Sequence, residues 1–392
     1  MRRVAVIGAG AASCFCAANL LENAAGKLAV SIFEAHPSPM EKLRITGGGR
    51  CNLTNDFGGI RSLKEAYPRG ERLMGRLLKQ FSNEDCCRWF ESRGVPLVTQ
   101  EDHCVFPASQ DAADIVGVLE KGIRKATLHT GHAVKRIGAD GSVDGQPFDH
   151  VVVTSGGAPK GLPLTAGLDL EWVPTVPSLF SLSVRDKALC ERMGLVVQAS
   201  VSLCGSPHKA SGPLLITDWG LSGPAILRLS SYAARELAAS SYKGEIAVNW
   251  MDAPEADIRA RLEEIAVSQP RRQLSQARPL PERLWTLIME RAGLRSDIRW
   301  GELGSKGLRR LVSQLSNDRY TIDGRPRFRD EFVTAGGIAL TNLVPNTVQS
   351  RKYPWLLFAG EVLDIDAITG GFNLQAAWST GWAAAQSILK SL

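Results

Sequence analysis

The sequence predicts an α/β fold: a Rossmann-like nucleotide-binding domain interrupted by a β-rich insert and a helical insert, then completed by the C-terminus. Three observations predict it. The first is the run Val4-Ala5-Val6-Ile7-Gly8-Ala9-Gly10-Ala11-Ala12-Ser13, with Glu34 closing the apolar stretch Val30-Ser31-Ile32-Phe33. The second is a change of character after Ala158, first to short β-like runs mixed with Gly, Pro and Ser, then from about Pro254 to a basic helical pattern. The third is a late return of strand and glycine-turn signals near the C-terminus.

The opening run reads as strand, glycine turn, helix and second strand. Gly8 allows the sharp turn, and Gly10 removes the Cβ that would hold a pyrophosphate off the backbone. Helix amides from Ala11 onward then face the phosphates, where the helix dipole favours negative charge. Ser13 occupies the third glycine position and is small enough for close helix–strand packing. Glu34 stands 21 residues beyond Ser13, the spacing of an acid that binds ribose hydroxyls. Apolar spacing at Leu77, Leu78, Phe81, Trp89 and Phe90 predicts a helix over 73–93, and another is expected over 112–125. A strand is expected over 127–137, a hairpin through Asp140-Gly141, and a buried strand Val151–Thr154 ending at Ser155-Gly156-Gly157. In the inserts, Phe180–Val184 and Val196–Leu203 read as strands, and the helical pattern from 254 to 315 breaks at Pro270 and at Pro279/Pro281. The chain then returns through a strand Leu356–Gly360 to Glu361, and Gly370-Gly371-Phe372-Asn373 opens a terminal helix to about Leu389. The expected domains are 1–158 and 331–392 for the nucleotide-binding fold, 159–253 for the β-rich insert and 254–330 for the helical one.

At 392 residues the chain can bury a large core, and 44% hydrophobic with 22% charged residues is ordinary for a globular protein. No apolar run approaches membrane-spanning length, so no membrane partner is expected. Met1-Arg2-Arg3 before an apolar stretch imitates a signal peptide, but Gly8 and Gly10 interrupt it and Glu22 follows without a cleavage site. The eight cysteines form no C-x-x-C pair and no zinc spacing, which points to free thiols in the cytoplasm and no metal. Between Glu255 and Asp330 there are 16 Lys/Arg against 11 Asp/Glu, so that segment carries +5 of the chain's net +6. Interspersed acids favour a solvated helical face there, and a nucleic-acid partner is not expected.

A nucleotide-binding domain completed by a distant C-terminal segment suits FAD, whose far end needs a second part of the chain. Glu361, with Asp364 and Asp366 as alternatives, would accept from ribityl or ribose hydroxyls at the carboxyl edge of the sheet. Bare amides around Gly370–Asn373 at a helix start would stabilise negative charge on a reduced flavin. The loop Gly47-Gly48-Gly49-Arg50-Cys51-Asn52 offers backbone, a guanidinium for an anion, and a thiol read as structural or flavin-adjacent. None of the six histidines has ligand spacing.

These segments, with Thr217–Pro224, Thr334–Gly337, Phe358–Asp364 and Thr369–Asn373, resemble the BaiN/RdsA-type, YhiN-like family of FAD-dependent oxidoreductases. The resemblance implies a glutathione-reductase-type FAD-binding domain with a β-rich and a helical insert. It implies that Gly8, Gly10, Ala11, Ala12 and Ser13 face the pyrophosphate and Glu34 the adenosine ribose. Val134 would read the adenine from a strand backbone, and Arg50, Cys51 and Asn52 would lie along the diphosphate and flavin. Glu361 or Asp364 would hold the ribityl chain, with Gly371, Phe372, Asn373 and Leu374 at the pyrimidine end. Ala35, Lys42, Thr154, Gly156, Gly157 and Gly360 complete the candidate cofactor set; catalytic residues are left unassigned. Two departures bear on transfer: the short passage Ala158-Pro159-Lys160-Gly161, and Thr217-Asp218-Trp219 where the family has Thr-His. The activity implied is hydride transfer to or from a small organic substrate such as an activated C=C bond, with NAD(P)H as a transient reductant because no second dinucleotide motif is present. The alternatives are a non-catalytic flavin-binding redox sensor or scaffold, and a flavoenzyme acting on RNA.

Overall fold

The apolar run Val4-Ala5-Val6-Ile7 forms an inner strand of a seven-stranded sheet in the computed structural model, which describes residues 1–158, 161–326 and 333–392. The chain divides into two units, residues 1–177 with 333–392, and residues 178–332. The expected boundaries at 158/159 and 330/331, and the passage through Pro159 and Lys160, lie at or within the stretches outside the described residues.

In the first unit the strand Arg2–Ile7 pairs in parallel with Leu28–Phe33 on one side and His150–Val153 on the other. Thr127–His129 extends one edge in parallel and Leu356–Phe358 the other, where an antiparallel hairpin (Leu343–Val344, Gln349–Ser350) closes the sheet. The middle strands are buried on both faces, which is why Val4-Ala5-Val6 and Val151-Val152-Val153 read as continuous apolar runs. This is the α/β, Rossmann-like architecture the sequence predicts. The helices Ala11–Asn23 and Phe372–Leu389 pack against each other, and Gly381 leaves space for the Ala12 carbonyl 2.8 Å from where a Cβ would stand. Phe15, Phe81, Trp89, Phe90 and Trp378 fill the adjoining core, and Cys14 and Cys16 are buried in it as small apolar side chains.

Several local expectations are corrected. The stretch 73–93 holds two helices, Glu71–Leu77 and Asn83–Glu91, because Ser82 and Asp85 form a reciprocal capping box that starts the second. The strand expected over 127–137 ends at His129. Gly131 turns in the left-handed region, and the N–H groups of Lys135 and Arg136 go to the Asp144 carboxylate instead of a neighbouring strand. The turn through Asp140-Gly141 is present as expected, with an antiparallel bridge between Ile137 and Val143 and the Gly138 N–H donating to the Ser142 carbonyl (2.8 Å), and a second hairpin turn at Asp144-Gly145 joins Ser142–Val143 to Gln146–Pro147. The late strand stops at Phe358, and Gly360–Val362 forms a 3₁₀ turn.

The second unit is a six-stranded antiparallel sheet, in the order Leu182–Ser183, Gly220–Ser222, Lys209–Thr217, Val196–Leu203, Lys243–Asn249 and Asp318–Asp323. One hydrophobic core joins this sheet to the helices Glu255–Ser268, Glu282–Arg291 and Gly304–Ser316. Val248 and Trp250 share it with Ile258, Leu262, Trp285 and Leu311, so the boundary expected at 253/254 runs through a continuous core. Asp318 is buried at its centre. It accepts from Trp250 Nε1 (2.8 Å), Gln314 (2.6 Å), Arg291 (2.6 Å) and the Tyr320 hydroxyl, and Arg291 also pairs with Asp186. Burial pushes the Asp318 carboxyl up, against the downward pull of Arg291 beside it. Arg291→Met would leave that carboxylate buried without its cation and is expected to destabilise the protein by about 3–5 kcal/mol. Urea unfolding followed by tryptophan fluorescence measures this; a loss under about 1 kcal/mol would show that the network does not depend on the ion pair.

Candidate functional site

Because five of the seven strands run parallel, their carboxyl ends lie on one edge, and the residues just beyond Ile7, Phe33, Val153 and Phe358 gather there. Gly8 has φ +97°, and a Cβ on it would stand 2.6 Å from the Thr154 carbonyl, so the turn needs glycine. Gly10 differs: a Cβ there would meet nothing within 4 Å. It starts the helix Ala11–Asn23, whose first turn has neither a side-chain cap nor an acid. The amides of Ala11 and Ala12 thus head a positive helix end that no side chain caps, beside open backbone, the arrangement a pyrophosphate requires. Ser13 is fully buried, and its hydroxyl donates back to the Gly8 carbonyl, so it braces the turn from inside.

Glu34 lies at the end of the second strand, half-buried. Its Oε2 accepts from the Ala9 N–H (2.7 Å) and its Oε1 from the His36 N–H (2.9 Å). Each oxygen keeps acceptor capacity, so the carboxylate is fixed in place and able to accept from a pair of ribose hydroxyls. Ala35 beside it is exposed.

Glu361 is anchored in the same way. Its Oε1 accepts from the Thr334 N–H (2.9 Å), and a Cβ on Gly157 would lie 2.9 Å from that oxygen and 2.4 Å from Thr334 Oγ1. Gly156 is also close to the Glu361 carboxylate, and a Cβ on Gly360 would stand 2.9 Å from the Ala12 Cβ. The carboxylate therefore sits over the Gly156-Gly157 turn, near the first turn of the Ala11–Asn23 helix. Thr154 turns its hydroxyl to the Ile7 carbonyl (2.8 Å) and binds strand to strand. Asp364 is half-buried next to this turn, with its N–H donating to the Ile338 carbonyl (3.0 Å). Asp366 is not available for a ligand: it is fully buried in a bidentate pair with Arg69.

A second group forms where the terminal helix begins. Gly371, in the left-handed region, precedes it, and a Cβ there would lie 2.3 Å from the Thr54 carbonyl. The Asn52 side-chain amide accepts from the Gly371 N–H (3.2 Å) and donates to the Thr54 carbonyl (3.0 Å). The Gly371 amide is thus taken, a correction to the expected row of bare amides; Phe372, Asn373 and Leu374 supply the remaining first-turn N–H groups. Phe372 is buried, Leu374 half-buried, and the Asn373 side chain closes the loop onto Ala367 (2.9 and 3.0 Å). Tyr67 donates to the Phe372 carbonyl, Trp378 to the Leu53 carbonyl and the Asn55 side chain to the Gly370 carbonyl, so residues 52–55 are tied to the helix start.

Among the described residues, four further expected positions make no side-chain hydrogen bond to these groups. Val134 is half-buried in irregular chain, not on a strand. Lys42 is exposed on the short helix Glu41–Ile45. Arg50 lies over the Phe106 ring (4.5 Å) and donates to Gly47 and Gln110. Cys51 is fully buried, and burial pushes its thiol up to about 12 against the lowering effect of the Thr46 side chain. Thr334 was not singled out for the site, although its motif was legible, because its contribution is a backbone N–H. His103, one of the six histidines without ligand spacing, gains its partners only in the fold: at a hairpin tip its Nδ1 lies 2.9 Å from Asp56 Oδ1, its ring rests on Gly58-Gly59, and the intervening Phe57 meets Phe372 at 5.1 Å.

The family model of the HI0933-like protein Rossmann domain matches residues 2–387. The chain belongs to the HI0933-like Rossmann family. A full-length relative is the 3-dehydro-bile acid delta(4,6)-reductase of Clostridium scindens, 28% identical over 415 residues and 99% of each chain. Another is the ribosomal RNA dihydrouridine synthase of Escherichia coli K12, 29% identical over 410 residues, 98% of this chain and 97% of that one. Among solved structures, the 3-ketosteroid delta1-dehydrogenase of Sterolibacterium denitrificans aligns over the whole of both chains at 11% identity and a TM-score of 0.48. This HI0933-like chain is an oxidoreductase of the Rossmann nucleotide-binding kind, and its family is the one its sequence motifs resemble. Among the described residues, no helix is long and apolar enough to cross a membrane.

A thiol at about 12 is one part in about ten thousand thiolate at pH 8, rising tenfold per pH unit, against roughly a quarter for a free cysteine. Iodoacetamide at pH 8 should therefore leave Cys51 unmodified in the folded protein and label it after denaturation, read by peptide mass spectrometry. Rapid labelling of native protein would instead mark Cys51 as an activated, reactive thiol.

Proposed function

We propose that this HI0933-like protein is an FAD-dependent reductase that adds hydrogen across an activated C=C bond of a small unsaturated ring. The observation that carries the reading is the carboxyl edge itself, where the open face of Gly10 and the anchored carboxylates of Glu34 and Glu361 follow the ends of parallel strands of one sheet. The residues fit the cofactor. Gly10, Ala11 and Ala12 would take the pyrophosphate, Glu34 the adenosine ribose, and Glu361 the ribityl hydroxyls. The first-turn amides of Phe372–Leu374 would face the pyrimidine end of the ring. Flavin supplies the hydride chemistry; the protein supplies binding, orientation and electrostatics.

The relatives' names support the reaction class. A delta(4,6)-reductase and a dihydrouridine synthase both saturate a ring C=C bond, the first in a steroid and the second in a uracil. Hydride delivery to one carbon calls for a proton on the other, and His103, oriented by Asp56, is the acid–base group we assign nearest the terminal-helix end. The second relative also favours a reading in which the ring is a base of RNA. NAD(P)H as reductant would visit the flavin transiently.

Glu34→Ala removes a charge-assisted acceptor and is expected to weaken FAD retention ten- to a hundredfold, about 1.4–2.8 kcal/mol. The spectrum of the remaining holoprotein should be unchanged, since the ribose is remote from the isoalloxazine. Retention equal to the parent in a folded variant would remove Glu34 from the site. Stopped-flow mixing of the holoprotein with NADH and with NADPH should bleach the flavin band with at least one of them. No reduction by either would assign the electrons to another donor.

A further inference from the structure

We propose that the second unit carries an RNA-binding face that contacts phosphates through Arg271, Arg272, Arg299, Lys306, Arg309 and Arg310. All six are exposed. They are also contiguous. Residues 270–273 run antiparallel to 299–301, joined by the Gln273–Arg299 bridge, Trp300 N–H to the Arg272 carbonyl (3.0 Å) and Gly301 N–H to the Pro270 carbonyl (2.9 Å). The turn Trp300–Glu302 then leads into the helix Gly304–Ser316, where Lys306, Arg309 and Arg310 share a face at i, i+3 and i+4.

What separates these cations from an ordinary solvated surface is the distribution of the acids. The sequence intersperses acids throughout this segment, and those that form ion pairs in the structure hold other cations. Arg259 pairs with Glu255, Arg278 with Glu282, Arg295 with Asp297, Arg319 with Glu245, and Arg291 with Asp186 and Asp318. Among the described residues, no ion pair reaches any of the six. Glu302 is the acid within the face, and its carboxylate accepts from the Arg299 backbone N–H (3.3 Å). The helix Gly304–Ser316 has no acid in its first turn and carries Lys306 there, which opposes the helix dipole, while Lys306 and Arg310 repel each other one turn apart. Such crowding is unfavourable for the isolated protein and is relieved by a polyanion. Five of the six are arginines, whose planar forks bind phosphate oxygens in bidentate fashion. The face supplies a substrate class for the reaction proposed above and rests on that reading in this respect alone.

The test is fluorescence anisotropy with the full holoprotein and two labelled RNAs, a single-stranded oligouridine and a hairpin of equal length, titrated at several NaCl concentrations. Wild type should bind, with log K falling linearly in log salt. The triple variant Arg271→Gln/Arg272→Gln/Arg299→Gln should bind at least tenfold more weakly at about 100 mM NaCl and lose about 2–3 from the slope, as expected for three released phosphate contacts. Arg259→Gln, whose cation is already paired, should match wild type. Flavin content and NAD(P)H-driven reduction of the triple variant should also match wild type, so a failure of the redox reading appears separately from a failure of RNA binding. Absence of RNA binding at about 50 mM NaCl would overturn the proposal, as would a triple variant with an unchanged salt slope. Binding to phosphatidylserine vesicles in place of RNA would overturn it in favour of a membrane surface.

Discussion

Parallel pairing of Arg2–Ile7 with Leu28–Phe33 and His150–Val153, and of His150–Val153 with Leu356–Phe358, is the constraint on which the rest of the first unit depends. The register sets Ile7 beside both Phe33 and Val153, and Val153 beside Phe358. Four chain segments far apart in sequence therefore leave the sheet at one level. The turn glycines and both rim carboxylates follow within four residues of those exits: Gly8 and Gly10, Glu34, Gly156 and Gly157, Gly360 and Glu361. Gly8, Gly157 and Gly360 are required there by geometry, since a Cβ would press on the Thr154 carbonyl in the first case, on Thr334 and Glu361 in the second and on Ala12 in the third. The site is a consequence of strand register, with side chains added at its rim.

The two carboxylates at that rim illustrate how the chain prepares acceptors in advance. Glu34 and Glu361 each accept from backbone N–H groups outside their own element, Ala9 in one case and Thr334 in the other. A carboxylate so fixed loses little freedom on accepting from a ligand hydroxyl, and the strand exits are tied together before any ligand arrives. Asp366 shows the opposite use of the same residue type. Buried against Arg69, it fastens the loop before the terminal helix and offers nothing outward.

Much of this was legible in the sequence because local chemistry and global position agree there. The glycine turn, Glu34, the Val151–Val153 strand, Glu361 and the terminal helix each combine a periodic apolar run with a glycine that only one geometry requires. What was not legible depended on partners remote in sequence. Asn52 caps Gly371 from more than three hundred residues away, and Thr334 acts through its N–H, which no side-chain pattern reveals. The helix break at Ser82 was written in a capping box that apolar periodicity alone passes over. In the inserted region, the shift from β-like to helical composition near Pro254 marks a change of element type, whereas Trp250, Trp285 and Leu311 build one core across it. The charge of that region was readable as a sum. Which cations hold acids and which do not is a property of the fold.

The measurement that bears most directly on the account is the cofactor content of the purified protein, read as visible absorbance and as the nucleotide released on denaturation. The arrangement of Gly10, Glu34 and Glu361 on one sheet edge predicts a yellow protein that releases one FAD per chain. A folded, colourless protein that cannot be reconstituted with FAD, or one that releases only FMN, would contradict it.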